Sequence, residues 1–82
     1  MTVPKELIFT DASGNTHDVS KSVLIRDWIK YDKFKYMLTI DKLLDWRNRL
    51  SREMLEFENK ERYYYEIMAT DFLLSIYASE LN

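Results

Sequence analysis

The 82-residue chain reads as α+β and mostly α. The expected order is an N-terminal β-hairpin, a short helix, a third strand that a continuing helix rivals, and two long C-terminal helices. Three observations carry this reading. A single strong turn signal, "DASGN" at 11–15, lies between runs rich in strand formers. Gly14 and Pro4 are alone of their kinds, so loops are few and nothing after Gly14 compels a break. Apolar residues then recur at helical spacing through the second half of the chain.

Taken in order, "ELIFT" (6–10) is the outgoing strand, and "THDVS" (16–20) returns after a turn in which Gly14 and Asn15 accept positive φ. "KSVLIRDWIKY" (21–31) places Leu24, Ile25, Trp28, Ile29 and Tyr31 at helical spacing, with Ser20 or Ser22 as the cap. A strand there would use the alternation of Val23, Ile25 and Ile29, which Asp27 interrupts. "KFKYMLTI" (33–40) alternates: Phe34, Tyr36, Leu38 and Ile40 against Lys33, Lys35, Met37 and Thr39. That pattern predicts a half-buried strand, while the Lys, Met and Leu content suits a helix.

From Asp41 to Leu81 no breaker occurs, and Thr39 or Asp41 offers a cap. Leu43, Trp46, Leu50, Met54 and Phe57 form one apolar stripe. "ENKER" (58–62) is wholly polar, and the stripe resumes with Tyr64, Ile67, Met68, Phe72, Leu74, Ile76, Tyr77 and Leu81. An unbroken helix of about 40 residues would be roughly 60 Å long. A chain of this size has a radius of gyration of only about 12 Å when compact. A turn near Asn59, giving an antiparallel helix pair, is therefore expected. The rival is one straight helix that buries its stripe in a second copy, although Glu61, Asp71 and Ser75 interrupt a coiled-coil seam.

Residues 1–82 form one domain on this reading, and a chain so short buries only about 60% of its unfolded surface. Cysteine is absent, which removes disulfides, thiolate metal sites and cysteine nucleophiles. No signal sequence, spanning run or lipidation motif is evident, so a soluble cytoplasmic protein, complete as written and not inserted in a membrane, is expected. The net charge is −2 but unevenly spread. Residues 21–52 carry nine bases against four acids, and residues 53–82 carry seven acids against two bases. The plain reading is that the acidic half folds back on the basic half.

Chemistry finds little support. His17 is the sole histidine; with Ser13 and Asp18 it shares one hairpin tip, where a solvated turn residue is expected rather than a catalytic triad. Glu53, Glu56, Glu58 and Glu61 intermix with Arg52, Lys60 and Arg62, which describes an ion-paired helix face rather than a metal-binding bundle. One glycine excludes phosphate-binding loops. No catalytic residue, metal ligand or cofactor site is assigned, and the chain is expected not to be an enzyme.

Two features point to binding. "IKYDKFKY" (29–36) interleaves lysines with aromatics, as single-stranded nucleic-acid binders do, and "RNRLSR" (47–52) extends the basic run. Acidic net charge argues against that partner. The second feature is an aromatic surplus in Trp28, Tyr31, Trp46, Tyr63, Tyr64, Tyr65 and Tyr77. Three consecutive tyrosines fan over roughly 200° of a helix, more than one stripe buries. Tyr64 continues the stripe, leaving Tyr63 and Tyr65 beside it. With Trp46 and Arg62 they are the expected anchors for a protein partner, since Trp, Tyr and Arg dominate binding hot spots.

Across its whole length the chain, with stretches such as "IKYDKFKYMLTI" and "ERYYYEIM", resembles the small cytoplasmic lysis-inhibition accessory proteins of T4-like bacteriophages. The resemblance lies in length and character, not in a motif, and carries no functional residue across. It implies a non-enzymatic regulator that binds the cytoplasmic part of a holin and delays host-cell lysis. The alternatives are a nucleic-acid binder using residues 29–52 and a self-assembling protein that forms a homo-oligomer through its long helix.

Overall fold

Burial in this protein converges on its last helix, and the other elements are arranged around it. The computed structural model describes residues 3–81. Strands β1 (Ile8–Thr10) and β2 (Thr16–Asp18) precede helices α1 (Val23–Lys30), α2 (Asp32–Met37), α3 (Ile40–Glu56) and α4 (Lys60–Ser79).

The hairpin is antiparallel, with Ile8 opposite Asp18, Phe9 opposite His17 and Thr10 opposite Thr16. Gly14 sits at φ 86°, a conformation that L side chains adopt only with strain. The Asp11 carboxylate organises the turn, accepting from the N–H groups of Ser13 and Asn15 at 2.9 Å each. Alternation puts Phe9 and His17 on the half-buried face. Their rings stack at 6.2 Å, and His17 meets the edge of Tyr64 at 6.0 Å. His17 is therefore a packed strand residue rather than a solvated turn residue. Its Nε2 lies 2.9 Å from Asp11 Oδ2, and its acid is neither Asp18 nor part of a triad.

Ser22 caps α1, its Oγ accepting from the Ile25 N–H at 3.3 Å. The inner side of α1 buries Ile25 and Trp28 completely. The Trp28 indole N–H donates to the Tyr77 hydroxyl at 3.2 Å, and that hydroxyl donates to the Lys35 carbonyl at 2.8 Å. This chain of bonds ties α1, α2 and α4 together and leaves no polar atom of the buried ring stranded.

The third strand does not form. Residues 32–37 are helical, and only Leu38 and Thr39 are extended, as the link into α3. Phe34 and Leu38, four apart, are both half-buried, whereas Tyr36 between them is 85% exposed. A strand would have turned Tyr36 inward with them, so helical spacing accounts for the burial and alternation does not.

The two C-terminal helices form, and the chain turns between them. Phe57 is extended at φ −109°, ψ 153°, and Asn59 caps α4 by accepting from the Arg62 N–H at 3.4 Å. No glycine or proline is needed because an Asn cap competes with helical bonding at that point. The polar "ENKER" segment has no apolar surface to bury and lies at the corner. Phe57 stacks on Tyr63 at 6.1 Å near the turn, and Arg47 reaches Asp71 further away. The pairs step outward in opposite chain directions, as an antiparallel pair requires. This fold-back replaces the single straight helix and, with it, the seam that the self-assembly alternative invoked.

Helix α4 packs on α3, α1 and β1. Ile67, Met68, Ala69, Thr70, Phe72, Leu73 and Tyr77 are buried, so α4 is covered on several sides rather than along one stripe. Leu43 and Leu50 come in from α3, Ile25 and Trp28 from α1, and Val19 from the hairpin exit. The charge asymmetry is partly satisfied across this interface. The Arg47 guanidinium grips Asp71 through Nε to Oδ1 at 2.6 Å and a second nitrogen to Oδ2 at 3.5 Å.

Candidate functional site

The packing of α1 and α2 beside α3 and α4 leaves an open trough, because the helices that meet there do not close over it. Its first half, about 390 Å³, is walled by Val23, Leu24, Phe34, Leu38, Leu43 and Trp46, with Asp27, Lys42 and Glu66 at its border. Its second half, about 450 Å³, continues past Val23, Trp46 and Glu66 to Leu50, Glu53, Phe57, Arg62 and Tyr63. Both volumes suit a ligand-sized site. Val23, Trp46 and Glu66 border both halves, so the two make one groove with Trp46 at its centre.

Local sequence explains each wall. Val23 is the first residue of α1 and, after the Ser22 cap, points away from the Ile25–Trp28 core; it is 49% exposed. Trp46 follows Leu43 by three positions on α3, so it shares the inner side without reaching the core. The Arg49 guanidinium lies 5.9 Å from its ring, which covers one face and leaves the indole 38% exposed. Phe57, just past the end of α3, is 52% exposed and held by its stack on Tyr63. Partial burial and then the Glu53 carboxylate push the Tyr63 phenol above its ordinary value. That group stays neutral at physiological pH and offers an O–H at the edge of an apolar surface.

Of the four anchors read from the sequence, the structure brings Trp46, Arg62 and Tyr63 to this groove. Tyr65 does not line it. Its hydroxyl accepts from the Lys21 N–H at 2.8 Å, pinning α4 to the start of α1, and its ring lines an adjoining depression with Lys21 and Glu61 that meets the groove at Asn59, Arg62 and Glu66. Tyr64 is not in the buried stripe: at 48% exposure it is more open than its two half-buried neighbours. The cause is the multi-sided packing of α4, in which Tyr63 turns to α3, Tyr65 to α1 and Tyr64 to His17 of the hairpin.

Residues not singled out from the sequence complete the site. Val23, Phe34 and Leu38 belong to elements read as core-facing or as strand. The acids Asp27 and Glu66 stood within apolar runs, "IRDWI" and "YYEIM", and that interruption was their only signal. Glu66 Oε1 accepts from the Ser22 hydroxyl at 3.0 Å.

Three of the basic residues that a nucleic-acid reading needs are engaged by acids. Within residues 29–52, Lys35 pairs with Asp32 at 3.2 Å, Arg47 with Asp71 at 2.6 Å and Arg49 with Glu53 at 3.1 Å. Among the described residues no group of three or more His, Cys, Asp or Glu side chains converges to hold a metal ion. Among the described residues, too, no helix is long and apolar enough to cross a membrane. No family model matches the chain, and no curated protein or solved structure matches it either.

Proposed function

We propose that this chain is a non-enzymatic protein-binding module and that its groove receives an amphipathic helix from a partner. The observation that carries the reading is a continuous apolar trough with Trp46 exposed at its centre, beside a core that is already closed without it. Exposed apolar surface rimmed by charge is where proteins meet partners, membranes or ligands, and an open trough of this length suits a helix. Along α3 the groove runs from Lys42 to Phe57. At 1.5 Å per residue that is about 22 Å, the length of roughly four turns of helix. Helix-in-groove recognition uses apolar anchors of the bound helix one turn apart, and Trp46, between the buried Leu43 and Leu50, is the accessible contact for one of them.

The partner we propose is the cytoplasmic segment of a phage holin, and the protein then works in the host cytoplasm as a regulator of lysis. That choice rests on the resemblance alone; the groove supports helix capture by itself. Occupying the segment would restrain holin assembly and delay permeabilisation. Titrating a labelled peptide of a T4-like holin's cytoplasmic segment, with anisotropy as the readout, tests both parts. Saturable binding that Trp46→Ala abolishes is the expected result. Absence of binding removes the holin, and binding unaffected by Trp46→Ala removes the groove.

A further inference from the structure

The floor of the groove is apolar, yet its middle is not neutral. Asp27 and Glu66 border the same half of it, from α1 and α4 respectively. Among the described residues neither carboxylate has a cation within ion-pair distance, whereas Glu53, further along, is neutralised by Arg49 at 3.1 Å. One oxygen of Glu66 accepts from Ser22, and no donor is bonded to the other among the described residues. Lys42 stands at one end of the trough, its Nζ turned to the Met37 carbonyl at 3.0 Å, and Arg62 stands at the other. The charge order along the groove is therefore basic, acidic, basic.

From this we infer that the groove selects a cationic occupant: an amphipathic helix of a partner protein that carries a lysine or arginine midway along its apolar face, between two apolar anchors. The inference rests on the helix-binding reading above and specifies its partner. Two carboxylates against an apolar wall are poorly solvated once a helix covers them. An apolar residue there would leave them stranded, and an acid would repel them. A long basic side chain lays its methylenes on Val23 and Trp46 and delivers its charge to Asp27 and Glu66. Selection thus has an attractive and a repulsive part, as specific interfaces generally do. A polyanion gains nothing from this arrangement.

The test is a yeast-displayed library of helices of about 14 residues, one groove length. Apolar residues are fixed on one face, and the central position of that face is randomised. The full chain, fluorescently labelled, is the bait. Lys and Arg should outnumber Asp and Glu among bound clones by about tenfold at low salt, and less at high salt. The double variant Asp27→Asn with Glu66→Gln, which keeps the acceptor for Ser22, should bind the apolar-faced clones without that preference. Acidic and basic clones recovered equally by the unaltered chain would overturn the charge selection and leave helix binding standing. So would a basic preference that survives in the double variant. If no clone binds above the Trp46→Ala background, helix binding itself falls and the selection with it. Should the double variant not fold, the salt-dependent ratio on the unaltered chain still decides.

Discussion

At the scale of single residues, polar atoms decide more than the apolar stripes do. Tyr77 shows this best: its hydroxyl is at once the acceptor for Trp28 and a donor to the Lys35 carbonyl, and burial pushes its phenol above the ordinary value. Tyr77→Phe keeps the ring and strands the Trp28 N–H in a fully buried position. The expected cost is about 1–3 kcal/mol. In a domain of this length each kcal/mol lowers the melting temperature by roughly 4–8 °C, which calorimetry reads directly. Asp11 gives a different kind of signal. Hydrogen bonds from His17, Asn15 and Ser13, that from His17 first, hold its carboxyl below the ordinary value of about 3.9. A group depressed in the folded state adds stability that is fully present above its unfolded value and lost as pH falls through the folded one. Thermal melts from pH 5 downward should therefore fall less steeply for Asp11→Asn than for the unaltered chain. Asp18, also depressed by its bonds to Ser20, keeps part of the slope in both proteins. Equal slopes would mean that the turn carboxylate contributes nothing at acid pH.

At the scale of elements, what the sequence showed depended on whether an element buries one side or several. The hairpin was legible because Gly14 and the Asp11–Asn15 turn chemistry are local. Helix α1 was legible from the spacing of its apolar residues, Ser22 proving to be the cap of the two serines offered, and the α3–α4 pair from a length that one helix could not keep. The strand expected at 33–40 failed because alternation and helical spacing share Phe34 and Leu38; only Tyr36 distinguishes them, and it faces solvent. The assignment of Tyr64 failed for a related reason. A helix packed on three neighbours has no single stripe to extrapolate. The turn at Asn59 is the element most open to test. Asn59→Ala removes the side chain that accepts the Arg62 N–H and should cost about 0.5–2 kcal/mol, whereas Asn59→Gly should cost only a few tenths. Urea unfolding of the two variants gives the difference directly. A midpoint unchanged in both would show that α3–α4 packing alone, not the cap, fixes the corner.

At the scale of the whole molecule, a groove is the property least legible in a sequence, because it belongs to no single element. Trp46 and Tyr63 could be named as surplus aromatics, but their union with Val23, Phe57, Asp27 and Glu66 depends on how α1 crosses the α3–α4 pair. Tyr65 met the same compositional criterion, yet its hydroxyl is bonded to the Lys21 N–H and its ring lies beside the groove, not in its wall. The two tyrosines therefore make a paired prediction about the molecule as a binder. Tyr63→Ser removes a groove wall and the stack under Phe57, so captured helices should weaken by about 1–4 kcal/mol if Tyr63 is a hot spot. Tyr65→Ser removes the acceptor that fastens α4 to α1 and should lower thermal stability while changing capture little. Trp46→Ala, at the centre of the groove, should abolish capture with a smaller loss of stability than truncating a core residue such as Leu73, for which about 2–5 kcal/mol is expected. Anisotropy titrations and melts on the same four proteins separate the two effects. If Tyr65→Ser weakens capture as much as Tyr63→Ser does, the binding surface wraps round α4 to the Lys21 side, and the groove is only part of it.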